Sequence, residues 1–215
     1  MLNLNKNECS FFFMAKFAWK AYKMARLQKS LEKKDRLLQA TISLVNNNGF
    51  HAAPMSKIAK MAQVSPATIY LYFENKQDLV NQAYLNVKAD FTSYIFKSET
   101  THLPLKTAFE RIWRAIFNYK LANRANALFL AQCDSTPMID KTIRNQGIKH
   151  LEPLLELWEK GKKENLIKPL SNYLLYGFTI NPIAFLILMD ERGSYQLNNT
   201  IIDQAFETAW QSIKV

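Results

Sequence analysis

Apolar residues recur every three or four positions along most of the chain, the spacing that puts them on one face of an α-helix. The stripe of Leu105, Phe109, Ile112, Trp113 and Ile116 is one example. Glycine occurs only 5 times and proline 7 times among 215 residues, which is too few for a loop-rich or all-β chain. The pattern therefore predicts an all-α fold. Predicted helices cover 54–62, 66–72, 76–96, 105–116, 124–133, 138–164 with a break at Pro153, 172–189 and 198–213.

Between residues 49 and 79 the predicted helices are short and separated by tight breaks. Pro54 suits the first turn of a helix, where its missing N–H is not needed. Ser65 is a good N-cap for a second short helix, and Pro66 a good first residue. Lys76 then opens a long third helix. Two short helices around a turn, followed by a longer one, have the layout of a helix-turn-helix, which places one helix in the DNA major groove.

The run from Val64 to Leu79 (VSPATIYLYFENKQDL) resembles the signature of the tetracycline-repressor (TetR) family of bacterial transcription regulators. Leu38–Ala40, Gly49–Phe50 and Ile58–Ala59 lie at spacings that this family uses, so the resemblance covers residues 32–80. A three-helix bundle without a DNA role is the alternative interpretation of the bare pattern. The extended resemblance favours DNA binding.

The chain departs from the family pattern at four positions. Family members usually have Thr or Ser where Ala53 and Pro54 stand, a residue that caps the second helix and often contacts a phosphate. They usually have Gly where Gln63 and Ala67 stand. Pro54 preserves the helix start without the cap, whereas Gln63 must adopt a positive φ or shift the turn.

The resemblance implies which residues meet DNA. Thr68 and Tyr70 would hydrogen-bond to base edges, and Ala67 would contact a thymine methyl group. Ser65, Tyr72 and Lys76 would hold phosphates and fix the register. The predicted DNA-binding set is Ser56, Ser65, Pro66, Ala67, Thr68, Tyr70, Leu71, Tyr72 and Lys76.

The resemblance also implies that the later helices enclose a ligand pocket, although any one aromatic residue at helical spacing can equally be ordinary core. An apolar lining indicates an apolar or aromatic effector, and Arg111, Arg114 and Arg144 could meet an anionic group on it or be solvated. The candidate pocket residues are Phe109, Trp113, Phe117, Phe129, Cys133, Met138, Trp158, Tyr173 and Tyr176.

In that family the last two helices pair with those of a second copy in a four-helix bundle. A dimer also suits DNA reading, because two half-sites of a palindrome require two recognition helices. The candidate interface residues are Phe178, Phe185, Ile201, Ala205, Phe206 and Trp210.

Charge supports a polyanionic partner. The chain carries 28 Lys and Arg against 18 Asp and Glu, a net charge of +10. Residues 1–90 hold 13 of those basic residues and 6 of the acidic ones, so most of the excess lies with the predicted helix-turn-helix. Double-stranded DNA attracts such a surface.

Other classes of protein are disfavoured. Two cysteines, Cys9 and Cys133, are too few for a disulfide framework, and no convincing secretory signal precedes them, so we expect a cytoplasmic protein. The apolar run 174–189 contains Asn and Pro at its middle, which favours a buried helix over a membrane span. No metal, cofactor or catalytic constellation can be assembled, so we expect no enzyme.

Residues 1–30 form a basic N-terminal extension. Translation starting at Met24 would give a start of the usual family length, so the first 23 residues are either untranslated or an arm. In an arm, Lys16, Lys20, Lys23, Arg26 and Lys29 fall three or four positions apart, with Phe13, Phe17 and Tyr22 between them. Such a helix could lie along phosphates or in the minor groove, or, as a weaker option, on a membrane surface.

The sequence thus predicts a basic extension over 1–30, a three-helix DNA-binding domain over 31–75, and a helical effector-binding and dimerisation domain over 76–215. The predicted function is a homodimeric, ligand-responsive transcriptional regulator, a repressor, that binds a palindromic operator. The alternative is an effector-independent protein that structures DNA through charge and shape. The identity of the effector and the operator sequence are not encoded in any pattern found.

Overall fold

The computed structural model describes the backbone of residues 6–215 and the side chains of residues 19–215, Ser135 excepted. Within this part of the chain the fold is all-α, as predicted, and its β pairing is one isolated antiparallel bridge between Ile167 and Lys214. The helices are α1 (Lys6–Asn48), α2 (Met55–Met61), α3 (Pro66–Ile69), α4 (Lys76–Ile95), α5 (Leu105–Ala122), α6 (Arg124–Ser135), α7 (Lys141–Lys149), α8 (Glu152–Lys163), α9 (Asn172–Thr179), α10 (Asn181–Glu191) and α11 (Asn199–Ile213).

The starts of the short helices follow the predicted caps. The Ser65 side chain accepts a hydrogen bond from the Thr68 backbone N–H, and Pro66 is the first residue of α3. Asn75, which was not predicted as a cap, accepts a hydrogen bond from the Asp78 backbone N–H at the start of the longer helix α4. Pro54 is the N-cap of α2 and offers no side-chain acceptor, as expected for a position that lacks Thr or Ser. Helix α3 is shorter than the predicted 66–72, because its last residues form a turn.

Two long predicted helices are divided in the structure. The break predicted at Pro153 within 138–164 is confirmed, since this stretch forms α7 and α8 and Pro153 lies in the first turn of α8. The predicted helix 172–189 becomes α9 and α10, separated at Ile180. Pro182 lies in the first turn of α10, where it cannot donate to the carbonyl of Phe178, and this missing hydrogen bond accounts for the break.

One buried cluster, here called the first core, joins the short helices to the C-terminal half. It contains the inner faces of α1, α2 and α3 and the first three turns of α4. Phe129, Leu130 and Cys133 from α6 complete it, together with Met138 and Ile139 from the following loop. The predicted boundary at residue 76 is therefore not a boundary in packing, because the same core continues across it.

A second core lies between α5, α8, α9, α10 and α11. Its largest buried side chains include Trp113, Phe117 and Trp158. Phe91 and Ile95, near the end of α4, also belong to it. Helix α4 thus contributes one end to each core and connects them rigidly.

Helix α1 runs without interruption from Lys6 to Asn48, and so includes the described part of the predicted extension. From Trp19 to Arg36 almost all of its side chains are exposed. The expected interleaving of Phe13, Lys16 and Phe17, and the position of Cys9, lie outside the described side chains.

The turn between α2 and α3 is built on a left-handed residue. Gln63 has φ 55°, which is the first of the two outcomes predicted from its non-glycine identity. Its N–H bonds to the Lys60 carbonyl at 3.1 Å, and the Val64 N–H bonds to the Ala59 carbonyl at 3.0 Å. These two bonds form a Schellman motif, whose C′ residue is usually Gly.

We therefore expect Gln63→Gly to stabilise the chain. A left-handed residue with a Cβ is destabilised by about 1 kcal/mol, part of which the greater freedom of Gly in the unfolded chain offsets. The free energy of unfolding from urea titration should rise by a few tenths to about 1 kcal/mol. Asn165, also at φ 55° after α8, provides the control, since Asn tolerates this geometry and Asn165→Gly should gain less. If Gln63→Gly lowers the free energy of unfolding, the positive φ of Gln63 does not strain the backbone.

Candidate nucleic-acid interface and interior polar cluster

Helix α3 and the turn after it present the predicted reading face to solvent. Ile69 and Phe73 are buried in the first core, as their spacing predicts. On the opposite side, Tyr70 is 59% exposed and Leu71 82% exposed. Ser65, Pro66 and Ala67 are exposed and Thr68 is half-buried beside them. Large apolar and aromatic groups left in water on a short helix mark a contact surface rather than core.

Three residues expected to hold phosphates also bond within the chain. The Ser65 and Thr68 hydroxyl oxygens lie 2.7 Å apart, and the Tyr72 hydroxyl lies 3.1 Å from that of Ser30 on α1. The Lys76 ammonium donates to the His51 carbonyl at 3.2 Å.

Lys76 is the largest departure from the predicted site. Its ammonium also lies 4.4 Å from the centre of the Phe50 ring, and partial burial lowers its pKa. In the free protein this side chain therefore ties the start of α4 to the loop before α2, instead of projecting toward a phosphate. Ser56, in contrast, is exposed on α2 next to the exposed Lys57.

Basic side chains of α1 extend this surface. Between residues 19 and 36 the helix carries seven cations and two carboxylates, Glu32 and Asp35. The Trp19 and Tyr22 rings stack at 5.8 Å, with the Lys23 ammonium 5.4 Å from the Trp19 ring. The exposed cations are Lys20, Lys23, Arg26, Lys29, Lys33 and Arg36, and Lys34 is half-buried near Phe73.

Most of the predicted pocket residues are divided between the two cores. Phe109, Trp113, Phe117 and Trp158 are packed in the second core, and the Trp158 indole N–H is buried there without a hydrogen-bond partner among the described residues. Phe129, Cys133 and Met138 are packed in the first core. Burial raises the pKa of the Cys133 thiol to about 12, so it behaves as a small apolar group.

The two predicted tyrosines of α9 lie on different sides. Tyr173 is 88% exposed, which corrects its assignment to an interior pocket. Tyr176 is only partly exposed, and burial raises the pKa of its hydroxyl, so its polar end points inward.

The clefts on the described surface include three with volumes of about 510, 560 and 390 Å³. The second is lined by Tyr94, Arg111, Arg114 and their neighbours, and the third by residues of α1 and α2. None of the nine predicted pocket residues lines any of the three.

The interior instead holds a cluster of polar side chains that the sequence did not suggest. Lys88 on α4 is 5% exposed and Lys120 on α5 is 8% exposed. Neither ammonium has a carboxylate within 4 Å, or a hydrogen-bond acceptor, among the described residues. The Lys88 ammonium lies 5.5 Å from the ring of Tyr84, which is itself 1% exposed. Burial, and then the charge of Lys88, lower the pKa of Lys120 to about 8.

A sequence signal for these lysines exists in retrospect. Lys88 lies four residues after Tyr84 and three before Phe91, and Lys120 lies four after Ile116 and seven after Trp113. Both therefore stand on the apolar stripe of their helix, where a cation is unusual.

The arginines proposed as anion partners are already engaged. Arg114 pairs with Glu110 at 2.8 Å and with Asp203 at 2.6 Å. Arg144 donates to the Cys133 carbonyl at 2.7 Å.

The predicted dimer residues separate into two sets. Phe178 on α9 and Phe185 on α10 are 57% and 60% exposed. Phe206 and Trp210 on α11 are buried in their own chain, and their rings lie 6.1 and 6.0 Å from that of Phe109. These two are therefore corrected to core residues. Ile201 and Ala205, also on α11, are partly exposed, so their exposure is intermediate between the two sets.

Residues Asn172–Glu191 are also long and apolar enough, by composition, to be a candidate membrane span, and only 28% of them are buried. The predicted buried helix is thus buried on one side only. Leu175, Thr179, Ile183 and Ile187 face the second core, and the remaining face is open. Among the described residues, no group of three or more His, Cys, Asp or Glu could hold a metal ion.

We expect Lys120→Met to stabilise the protein at pH 7. A pKa of about 8 against an ordinary 10.5 means that the folded chain disfavours the ammonium by roughly 3 kcal/mol. This penalty is complete below pH 8 and fades as the pH rises toward 10.5, because the unfolded chain then also loses the proton. The gain in unfolding free energy should therefore shrink between pH 7 and pH 10.

Lys149→Met, at an exposed position on α7, is the matched control and should show neither effect. A Lys120→Met chain that is less stable than the original by the same amount at both pH values would mean that the ammonium is well solvated or bonded.

Two family models match the chain. "Bacterial regulatory proteins, tetR family" matches residues 37–83, which contain α2 and α3. "Tetracyclin repressor-like, C-terminal domain" matches residues 104–214, just over half of the chain.

Similar proteins span nearly the same length. An uncharacterized HTH-type transcriptional regulator from Haemophilus influenzae is 25% identical over 84% of this chain and 95% of its own. The structure of a TetR family transcription regulator from Marinobacter aquaeolei VT8 is 28% identical, covers 87% of this chain and 98% of its own, and has a TM-score of 0.81. The structure of a putative TetR family regulator from Vibrio parahaemolyticus is 30% identical, covers 85% of this chain and 99% of its own, and has a TM-score of 0.70.

A more distant structure, the Bacillus subtilis transcriptional regulator FadR in complex with stearoyl-CoA, shares the fold at 18% identity, a TM-score of 0.62 and coverage of 81% of this chain and 96% of its own. The family consists of transcriptional regulators and not of enzymes. From the match of both parts and the exposed helix α3, the chain belongs to the TetR family of bacterial regulatory proteins.

Proposed function

We propose that this chain is a homodimeric, cytoplasmic repressor that binds a palindromic operator through α3 and releases it when a small effector binds between the C-terminal helices. The observation that carries the proposal is the exposed face of α3. The Thr68 hydroxyl on α3 and the Tyr70 ring in the turn after it project from the first core and lie beside the basic helix α1. Contacts to base edges require a helix held in a fixed position, and contacts to phosphates require cations beside it.

The open apolar face of α9 and α10 supports the dimer. Tyr173, Leu174, Phe178 and Phe185 are 43–88% exposed on adjacent helices. Several large apolar side chains exposed on neighbouring helices are typical of an interface. Covering it with a second copy would pair two α3 helices, as a palindrome requires.

The contacts between the two halves support coupling between effector and DNA. The Asn46 side chain on α1 donates to the Ala125 carbonyl on α6 at 2.8 Å. Gln77 on α4 donates to the Met138 carbonyl at 2.9 Å, and Asn81 donates to Asp140 at 2.5 Å. A shift of α6 or of the loop after it would therefore displace α1 and the start of α4 together, and with them α3.

An apolar part in the effector is supported by the aromatic side chains around both cores and by the stearoyl-CoA bound to the structurally similar FadR. An effector shifts the DNA-bound state only as far as it binds one arrangement of the helices better than the other. Selecting operator sequences from a random DNA pool, then measuring their release by candidate compounds, tests the proposal as a whole.

Tyr70→Ala should weaken binding to a selected operator by more than about 1 kcal/mol, the scale of one base contact. Because Tyr70 is 59% exposed and outside the core, its loss should leave the unfolding temperature unchanged. Fluorescence anisotropy with operator DNA and with random DNA separates sequence-specific binding from non-specific binding. Equal losses on both would contradict base reading, and a specificity ratio near one in the original chain would favour the effector-independent alternative.

The control for Tyr70→Ala is Tyr195→Ala. Tyr195 is 47% exposed, and it lies in the loop between α10 and α11. It should change neither operator binding nor binding to random DNA.

Phe185→Asp should dissociate the dimer. A charge at the centre of an apolar interface removes an aromatic anchor, which weakens association by about 2 kcal/mol or more. Sedimentation velocity should show a monomer at concentrations where the original chain is a dimer. Leu128→Asp, at a 40% exposed position on α6, is the matched control and should remain dimeric. A Phe185→Asp dimer of unchanged affinity would remove this face from the proposal.

A further inference from the structure

The two buried lysines stand out from the other cations of the C-terminal half. Arg114, Arg124, Lys106 and Lys162 each have a carboxylate within 2.8 Å. Lys88 and Lys120 are more buried than any of these and have no such partner among the described residues. A cation removed from water without a counter-charge destabilises the fold, and two close together do so more strongly.

Two carboxylates of the neighbouring helix segments are committed elsewhere. Asp134 acts electrostatically on both lysines, but its side chain is 46% exposed and lies 3.9 Å from Arg144. Asp90 accepts a hydrogen bond from the Tyr119 hydroxyl at 2.7 Å. Neither carboxylate neutralises an ammonium by direct contact, so both lysines keep their capacity to donate.

Two phenols add donors to the same place. The Tyr84 and Tyr176 hydroxyls have no hydrogen-bond partner among the described residues, and burial raises the pKa of each, which keeps both protonated. Gly147 on α7 fixes the Tyr84 ring, because a Cβ at that position would lie 2.5 Å from the Tyr84 hydroxyl oxygen. Helices α4, α5 and α9 thus bring donors together in the interior.

We propose that Lys88 and Lys120, with the hydroxyls of Tyr84 and Tyr176, form a binding site for the carboxylate or phosphate group of a small organic anion. The inference rests on the proposed effector response, and it names the chemical class of that effector. The oxygen atoms of either group accept several charge-assisted hydrogen bonds at once, and lysine binds them as a point charge. The negative charge replaces the counter-ion that the fold lacks.

An apolar body on the anion fits the surroundings. Phe91 lies one turn after Lys88 on α4, and its ring meets that of Tyr119 edge to face at 5.1 Å. Tyr119 directly precedes Lys120 in the chain. The site is also well placed for signalling, since Lys88 lies on the helix that connects the two cores, and Cys133 and Asp134 of α6 are its electrostatic neighbours.

The test uses the full-length dimer and three anionic probes: sodium decanoate, sodium benzoate and inorganic phosphate. Their neutral counterparts are 1-decanol and benzyl alcohol. Binding is measured by calorimetry and by the shift in unfolding temperature for the original chain and for Lys88→Met, Lys120→Met and Lys149→Met. The last variant, on the surface of α7, is the control. The three anions distinguish an aliphatic carboxylate, an aromatic carboxylate and a free phosphate as the source of the charge.

We expect at least one anion to bind the original chain and Lys149→Met equally. Each interior substitution should weaken that binding by about 10- to 100-fold, the scale of one hydrogen bond to a charged group. The neutral counterparts should bind all four chains alike or not at all. Equal anion affinity in the original chain and the two interior variants overturns the site, and so does the absence of binding by all three anions.

Operator release, measured in parallel, separates this inference from the proposed function. Lysine-dependent anion binding that leaves operator affinity unchanged supports the site and contradicts the ligand response. The opposite result is that no anion binds, while a neutral compound releases operator DNA equally from the original chain and from both lysine variants. That result supports the ligand response and overturns the anion site.

Discussion

Helix α3 has only four residues and cannot hold its own position, so its orientation depends on the first core. That core is not confined to the short helices around it. Phe129, Leu130 and Cys133 of α6 are as deeply buried in it as Ile58 or Ile69. Since interiors are close-packed, a displacement of α6 must be accommodated by α1, α2 and α3. The orientation of α3 therefore depends on α6 as well as on α1, α2 and the start of α4.

Helix α4 adds a second connection of a different kind. Its first half lies in the first core, and its last turns lie in the second. A helix of 20 residues transmits rotation and tilt over its whole length, whereas the contacts of α6 with α1 act directly at the side of the reading unit. A ligand between α4, α5 and α6 would act on both connections. The proposed anion site at Lys88 and Lys120 lies at that junction.

Local structure is easier to predict from this sequence than the choice of which helix faces pack together. Ser65, Pro66 and Asn75 mark helix starts through simple capping chemistry, and the sequence leaves Gln63 two outcomes, a positive φ or a shifted turn, of which the structure has the first. These features depend on neighbours only a few residues away.

Long-range packing could not be predicted in the same way. Phe206 and Phe185 look alike in sequence, yet one is buried against Phe109 and the other is exposed, because the side of each helix that meets the second core depends on how five helices pack together. The division of 172–189 at Ile180 is not evident from the sequence, because Pro182 stands inside a continuous apolar run. Lys88 and Lys120 were missed because a lysine in a helix is normally solvated, and only their place on the apolar stripes marks them.

Native-state hydrogen exchange tests the shared core most directly. If α2, α3, the start of α4 and α6 depend on one another, their amides should exchange through a common opening, with the same free energy and the same dependence on denaturant. The helices of the second core should show a separate value. If the α2 and α3 amides exchange through a smaller opening that leaves α6 fully protected, the account is contradicted. Helices α2 and α3 would then unfold independently of α6.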